Sequence, residues 1–208
     1  MTIPDATVFV VDDDPLVRES IEQLIKSVGL NVHTFSSAQE FLDQDLPDTP
    51  SCLVLDIRMP SLSGLDLQDE LVKRGLTTPV IFITGHGTVP MSVRAMKAGA
   101  MDFLQKPFED QDLLDAIHRA IEQNKRTRLE QAEIGEIKRR VESLTSREYE
   151  VLVLVVAGML NKQIAYDLEL SENTVKTHRA RIMQKMQVES LADLVRLTEK
   201  VGIHQQKG

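Results

Sequence analysis

Val8-Phe9-Val10-Val11-Asp12-Asp13-Asp14-Pro15 decides the fold. Four apolar residues, three of them β-branched, form a run too short for a helix and suited to a strand buried on both faces. The acids that follow stop it, and Asp14-Pro15 pairs an N-cap residue with proline at a first helical position. A strand that turns at once into a helix is the start of a βα unit. Working outward, strand-like runs recur at Asn31–Phe35, Cys52–Ile57, Val80–Thr84 and Asp102–Gln105. Helix-like stretches alternate with them at Leu16–Val28, Ala38–Leu42, Leu65–Arg74, Pro90–Ala98 and Leu113–Asn124. Gly29, Gly75 and Gly99 fall just past three of these helices, where a left-handed residue ends a helix most cheaply. Five βα units imply right-handed crossovers and a parallel sheet covered on both faces.

In such a sheet reactive groups gather beyond the carboxyl ends of the strands. The first strand is followed by Asp12 and Asp13, the third delivers Asp56, the fourth Thr84, and the fifth is followed by Lys106. Three carboxylates, a hydroxyl and an ammonium are therefore expected to converge on one rim. Carboxylates so placed repel one another unless a cation intervenes, and Mg²⁺ suits oxygen donors while keeping several waters. Beside such an ion Asp56 can act as a nucleophile toward phosphorus, with Lys106 and Thr84 serving the phosphoryl oxygens.

Beyond about residue 119 the pattern becomes charged and helix-favouring. Ile134, Ile137, Val141 and Leu144 recur at spacings of 3, 4 and 3, which fits an amphipathic linker helix or a short dimer seam. From Thr145 onward the chain reads as four helices. The first is capped at Thr145 or Ser146 with Glu148 placed as in a capping box, and it is stopped by Gly158. Asn161–Leu168, a turn around Glu169–Ser171, and a helix from Glu172 to Met186 make a helix-turn-helix shape, before a last helix over Ser190–Val201.

The third of these helices carries Lys176, Arg179, Arg181 and Lys185 against a single acid, Glu172. At helical spacing Val175, Ile182, Met183 and Met186 face inward. Asn173, Thr177, Ala180, Arg181 and Gln184 face outward, with Lys176 and Lys185 on the flanks. A basic stripe on such a helix is the footprint of a duplex-reading element. Thr174 near its capped start and Lys162 on the preceding helix suit phosphates, whereas Arg179 points near the inward side and is expected to have a structural role.

The chain has 208 residues and a formal net charge of −8, unevenly distributed. Residues 1–121 carry a net of −10, residues 122–140 a net of +2, and the remainder is neutral. That asymmetry fits two domains with different partners. The single cysteine, Cys52, excludes an internal disulfide framework. His33, His86, His118, His178 and His204 are scattered without thiolates, which argues against structural zinc. No apolar run approaches the length of a membrane span and the start lacks a secretory signal, so no membrane association and a cytoplasmic location are expected.

Phe9-Val10-Val11-Asp12-Asp13-Asp14, Leu55-Asp56-Ile57-Arg58-Met59-Pro60, Ile83-Thr84-Gly85-His86-Gly87 and Lys106-Pro107-Phe108 resemble the receiver domain of two-component response regulators. Leu144-Thr145-Ser146-Arg147-Glu148, Gly158, Asn161-Lys162-Gln163-Ile164-Ala165 and Thr174-Val175-Lys176-Thr177-His178 resemble the LuxR-type helix-turn-helix. The chain as a whole is similar to the FixJ/NarL family of transcriptional regulators, within it to the FixJ, TodT and StyR group.

The resemblance implies a flavodoxin/CheY-like sheet with strand order 2-1-3-4-5 over residues 6–121. A helical linker over 122–139 and a LuxR-type domain over 140–204 would follow, with its motif at about 161–180. It implies that Asp56 is phosphorylated by a sensor histidine kinase. Asp12, Asp13, Asp56 and the backbone carbonyl of Arg58 would hold Mg²⁺, and a cis bond would precede Pro107. Phe103 would be an aromatic switch coupled to Thr84. It places Lys176, Thr177 and Ala180 at base contacts on double-stranded promoter DNA, with polar specificity resting on Lys176 and Arg181. It further implies homodimerisation on phosphorylation through the helix after the fourth strand and through the fifth strand. Met91, Ala95 and Ala98 of that helix project to one side and Val93 and Met96 to the other, so Met91, Val93 and Met96 are candidate dimer contacts. RNA polymerase would be a further partner.

Two rival readings come from the residues. Asp12 and Asp14 form an Asp-x-Asp pair like that of haloacid-dehalogenase phosphatases, which would make Asp12 the nucleophile and require a further acidic cluster downstream. A regulator that binds a small molecule without phosphorylation would leave the acidic rim unexplained.

Overall fold

The computed structural model describes residues 6–203; His204, the expected end of the helical domain, lies outside them. The chain divides into two compact units, residues 1–128 and 129–208.

In the first unit β1 (Thr7–Val11), β2 (Asn31–Phe35), β3 (Ser51–Asp56), β4 (Val80–Thr84) and β5 (Asp102–Gln105) form one parallel sheet in the order β2-β1-β3-β4-β5. The connecting helices are α1 (Pro15–Ser27), α2 (Ala38–Leu42), α3 (Gly64–Lys73) and α4 (Val89–Lys97). Because side chains alternate along a strand, each strand feeds two cores. Phe9, Leu53, Leu55 and Phe82 meet Phe41, Leu67, Leu71 and Ala95 from α2, α3 and α4. Val8, Val10, Val54, Ile81 and Ile83 meet Ile21 and Ile25 of α1 together with Leu113, Ile117 and Ile121 of the helix that follows β5. Each such fully buried side chain contributes about 2 kcal/mol relative to exposure. The aspartate-proline start of α1 forms as read: Asp14 caps the helix by accepting from Leu16 N, with Pro15 in the first turn. Gly29, Gly75 and Gly99 all take positive φ.

The expected helix over Leu113–Asn124 and the linker after it are one element, α5 (Asp110–Glu142). Both cores reach into the stretch read as linker. Buried Asn124 accepts from Ser51 N at 3.0 Å and donates to Thr77 O at 3.0 Å, which ties it to the first unit. Ile137 is buried in the second unit, where Val141 and Leu144 also pack. Three members of the stripe at 134–144 are thus used within the chain's own helical core.

The second unit contains α6 (Ser146–Val156), α7 (Asn161–Asp167), α8 (Glu172–Met186) and α9 (Leu191–Lys200). Thr145 and Glu148 form the reciprocal capping box at the start of α6. Gly158 leaves α6 at φ 83°, and Glu169 takes a left-handed φ of 53° between α7 and α8. That turn lets Val175, Ile182 and Met186 of α8 bury against Ile164 and Val151. No helix among the described residues is long and apolar enough to cross a membrane.

Candidate phosphoryl-acceptor site and nucleic-acid face

Parallel register brings the ends of β1, β3 and β4 and the residue after β5 to one rim. Asp12, Asp56 and Thr84 are all buried there. Lys106 Nζ donates to Asp12 Oδ2 at 2.6 Å and to Asp56 Oδ1 at 2.9 Å. The remaining oxygens accept from the main chain, Asp12 Oδ1 from Asp14 N at 2.9 Å and Asp56 Oδ2 from Arg58 N at 2.6 Å. One ammonium thus balances two buried carboxylates that would otherwise repel. Burial raises the Asp56 carboxyl above the usual range against the pull of Lys106, and the neighbouring charge of Asp12 adds to the rise. Burial alone would lower Lys106, but its bonds to Asp12 and Asp56 outweigh that and hold it above the ordinary lysine value.

Asp13 is exposed beside buried Asp12, and among the described residues no group of three acidic, histidine or cysteine side chains stands close enough to hold a metal by itself. The donor set nonetheless fits a hard divalent cation, since Mg²⁺ needs only one or two carboxylates and the ammonium already marks a position where positive charge is stabilised between Asp12 and Asp56. The Lys106–Pro107 bond is cis.

Two glycines, Gly64 and Gly87, shape this rim. A methyl on Gly64 would lie 2.3 Å from Asp56 O, so the start of α3 rests against the main chain of the acidic residue. A methyl on Gly87 would lie 3.0 Å from Phe103 Cε1 and 3.2 Å from Thr84 Cγ2. Thr84 and the half-buried Phe103 therefore both crowd the position that a side chain at residue 87 would take. Thr84 Oγ1 accepts from His86 N at 3.2 Å, leaving its hydroxyl hydrogen available. Sequence reasoning missed Arg18. Its Nη1 donates to Asp12 O at 2.5 Å, a contact hidden from sequence because it depends on how the loop folds back over α1.

On α4, Val93 and Met96 are 46% and 48% exposed, so the helix is not buried all round. Met91 is half-buried and packs against the sheet core beside Ala95, one turn away on the covering face.

On α8, Asn173, Lys176, Thr177, Ala180, Arg181 and Gln184 are exposed and share the outward face, and Lys162 is exposed on α7. Thr174 is half-buried, and its hydroxyl is bonded to Ser171 Oγ at 2.8 Å in the cap of α8. Arg179 Nη1 donates to Asn161 Oδ1 at 3.0 Å, a structural tie between α8 and α7. Lys185 is corrected. Its ammonium turns inward to Glu148 Oε2 at 2.7 Å and Ser143 O at 2.9 Å, and is not offered to a duplex. Glu148 is only 3% exposed, and its carboxyl pKa is held down to about 2 by Lys185 first and by the Thr145 backbone next. Burying that carboxylate demanded a counter-charge, and Lys185 was the cation within reach.

Comparison with known proteins agrees with this division. Residues 8–118 match the response regulator receiver domain, and residues 142–198 match the luxR family of bacterial regulatory proteins. Nodulation protein W of Bradyrhizobium diazoefficiens is 52% identical over 95% of this chain and 87% of its own. The transcriptional regulatory protein FixJ of Rhizobium meliloti is 45% identical over 93% and 95%. Among solved structures, the response regulator StyR superposes with a TM-score of 0.85 at 50% identity, covering 94% of this chain and 99% of that one. Full-length FixJ from B. japonicum gives 0.56 at 40% identity, covering 95% and 97%.

Proposed function

The chain belongs to the response regulators that join a receiver domain to a luxR-family DNA-binding domain, and on that premise we propose that Asp56 is its phosphoryl acceptor. Membership carries the broad function: a two-component transcriptional regulator, not an enzyme, whose receiver answers a histidine kinase and whose helical domain binds DNA. The finer reading rests on one observation, that residues as distant in sequence as 12, 56 and 106 meet at a single ammonium.

An Asp56 oxygen attacks phosphorus, the bond from phosphorus to the donor histidine nitrogen breaks, and the imidazole leaves. Lys106 is placed to pair with the transferred oxygens, and the Thr84 hydroxyl can donate to them. Asp12, Asp13 and Asp56 with the Arg58 carbonyl would hold Mg²⁺, which when bound offsets the negative charge of the arriving group. Recruitment of Thr84 toward the phosphoryl group loosens its packing on Gly87 and Phe103. That biases α4 and β5, whose exposed Val93 and Met96 then pair with a second copy.

Residues 161–180 form the duplex-reading motif of a domain spanning about 140–204, after a receiver over about 6–121 and a linker over about 122–139. Lys176, Thr177, Ala180 and Arg181 meet base edges, while Lys162 and the cap at Thr174 meet phosphates. The working compartment is the cytoplasm, where kinase, promoter and RNA polymerase meet. Phosphorylation with a small phosphodonor followed by sedimentation tests the reading. Wild type becomes a dimer and Asp56→Asn stays monomeric; label on Asp12 instead, or identical sedimentation of both proteins, would reject it.

A further inference from the structure

The end of the sheet opposite Asp56 holds a cleft of about 490 Å³ between the C-terminal half of α3, the turn that follows α4, the start of β4 and the middle of α5. Leu71, Val72, Leu76, Val80 and Met101 form its apolar walls, and Thr77, Thr78 and Gln123 add polar groups. No charged side chain lines it. At one wall stands Gln68, 3% exposed, whose Nε2 donates to Ala98 O at 3.2 Å at the C-terminus of α4. Its Oε1 is buried without any partner.

A buried amide oxygen left unbonded costs about 1–3 kcal/mol, and such groups in native proteins ordinarily find a donor. Turning the amide over does not remove the cost, because Oε1 would then face the carbonyl of Ala98. The terminal torsion of a glutamine is soft, so a modest rotation can present Oε1 to the cleft while Nε2 keeps its bond. The volume falls in the range of small-molecule sites, which are mostly apolar with a few directed polar groups.

We propose that this cleft binds a small neutral molecule with an apolar body and a single hydrogen-bond donor directed at Gln68 Oε1. The uncharged lining excludes ionic ligands, which would lose hydration without a counter-charge. The occupant touches the backbone that closes α4 and the first residue of β4, whose last residue is Thr84, so it acts on the same elements as the acidic rim from the other end.

The test exploits the absence of tryptophan from the chain. Val72, 65% exposed at the cleft, is replaced in the full chain (Val72→Trp) as a fluorescent reporter. The probes are cyclohexanol and δ-valerolactam, each paired with its methylated form, methoxycyclohexane and N-methylvalerolactam, which cannot donate. Both donors are expected to saturate the signal and to bind about tenfold more tightly than their methylated partners. Adding Gln68→Met should erase that preference. Titration of wild type, followed by the Gln68 side-chain amide in ¹H–¹⁵N spectra, guards against a variant that folds poorly. Absence of saturable binding by either donor, or equal binding by donor and methylated partner, overturns the proposal. Neither magnesium nor phosphate is present, so this failure is separate from any failure at Asp56.

Discussion

Gly64→Ala tests how tightly the acidic rim is built. The added methyl would lie 2.3 Å from Asp56 O and 3.1 Å from both Asp56 C and Ile57 Cα. All three obstacles are main chain, so no rotamer change relieves them. Even the shortest contact that real side chains show, 3.0 Å, requires the start of α3 and the end of β3 to part by about 0.7 Å. They are tied there, since Gly64 N donates to Ile57 O at 3.0 Å. Overpacking of this kind costs about 1–3 kcal/mol. The displacement falls on Asp56, the proposed acceptor, which would have to meet phosphorus in line and where an error approaching 1 Å costs on the order of 100-fold in rate.

The assay pairs hydrogen exchange at β3 amides with the rate of phosphorylation by acetyl phosphate. Tyrosine fluorescence will not serve, because Tyr149 and Tyr166, the only tyrosines, both lie in the helical unit. Gly75→Ala is the control. Gly75 sits at φ 69° with open space around it, so alanine there costs about 1 kcal/mol of backbone strain without touching Asp56. If Gly64→Ala exchanges like wild type within about 0.5 kcal/mol and is phosphorylated at the wild-type rate, the close approach is not a constraint and the reasoning fails.

Other outcomes follow from the same geometry. Lys176→Ala should weaken promoter binding about 10- to 100-fold in gel-shift titration while the circular dichroism of the fold is kept. Gly135→Ala, in the interior of α5 with nothing within 4 Å of the new methyl, should raise stability by about 0.5–1 kcal/mol in urea unfolding. Glu148 is depressed from an ordinary 4.5 to about 2 in the folded state, so its stabilisation is complete above about pH 4.5 and disappears as pH falls through about 2. The gap in melting temperature between wild type and Glu148→Gln, read by tyrosine fluorescence, should therefore be widest near neutrality and close toward pH 2.

What the sequence makes legible is what depends on neighbours along the chain. Asp14 with Pro15, Thr145 with Glu148, and Gly158 each act within a few residues, and each forms the cap or stop that its spacing implies. The acidic rim is legible for a different reason: parallel strands deliver their ends to one edge whatever the loops do. The misses involve partners that local pattern does not contain. Helical projection puts Lys185 on the flank of α8, but its direction is set by Glu148, 37 residues earlier. Gly64 carries no signal of its own, because it is needed for space and not for an unusual φ, and only the placement of Asp56 O reveals the need. The linker reads as separate because its charge hides that Asn124 is fixed in one core and Ile137 in the other.

The placement of charge explains why pairing of two copies matters for a molecule of this kind. By sequence α8 offers four cations, but Arg179 is engaged by Asn161 and Lys185 by Glu148, which leaves Lys176 and Arg181 outward. With Lys162 that makes about three exposed cations on the proposed duplex-reading face, on a chain whose net charge is −8 and whose first 121 residues carry −10. Counterion release from so few phosphate contacts supports only weak attachment, falling with salt at a log–log slope of about −3. A second copy on an adjacent half-site doubles the contacts without adding any to either molecule, and holds the second reading helix at high effective concentration. On the proposed association at Val93 and Met96, pairing would change occupancy more than any adjustment within one reading helix could, and control of DNA binding would lie in the domain that carries Asp56.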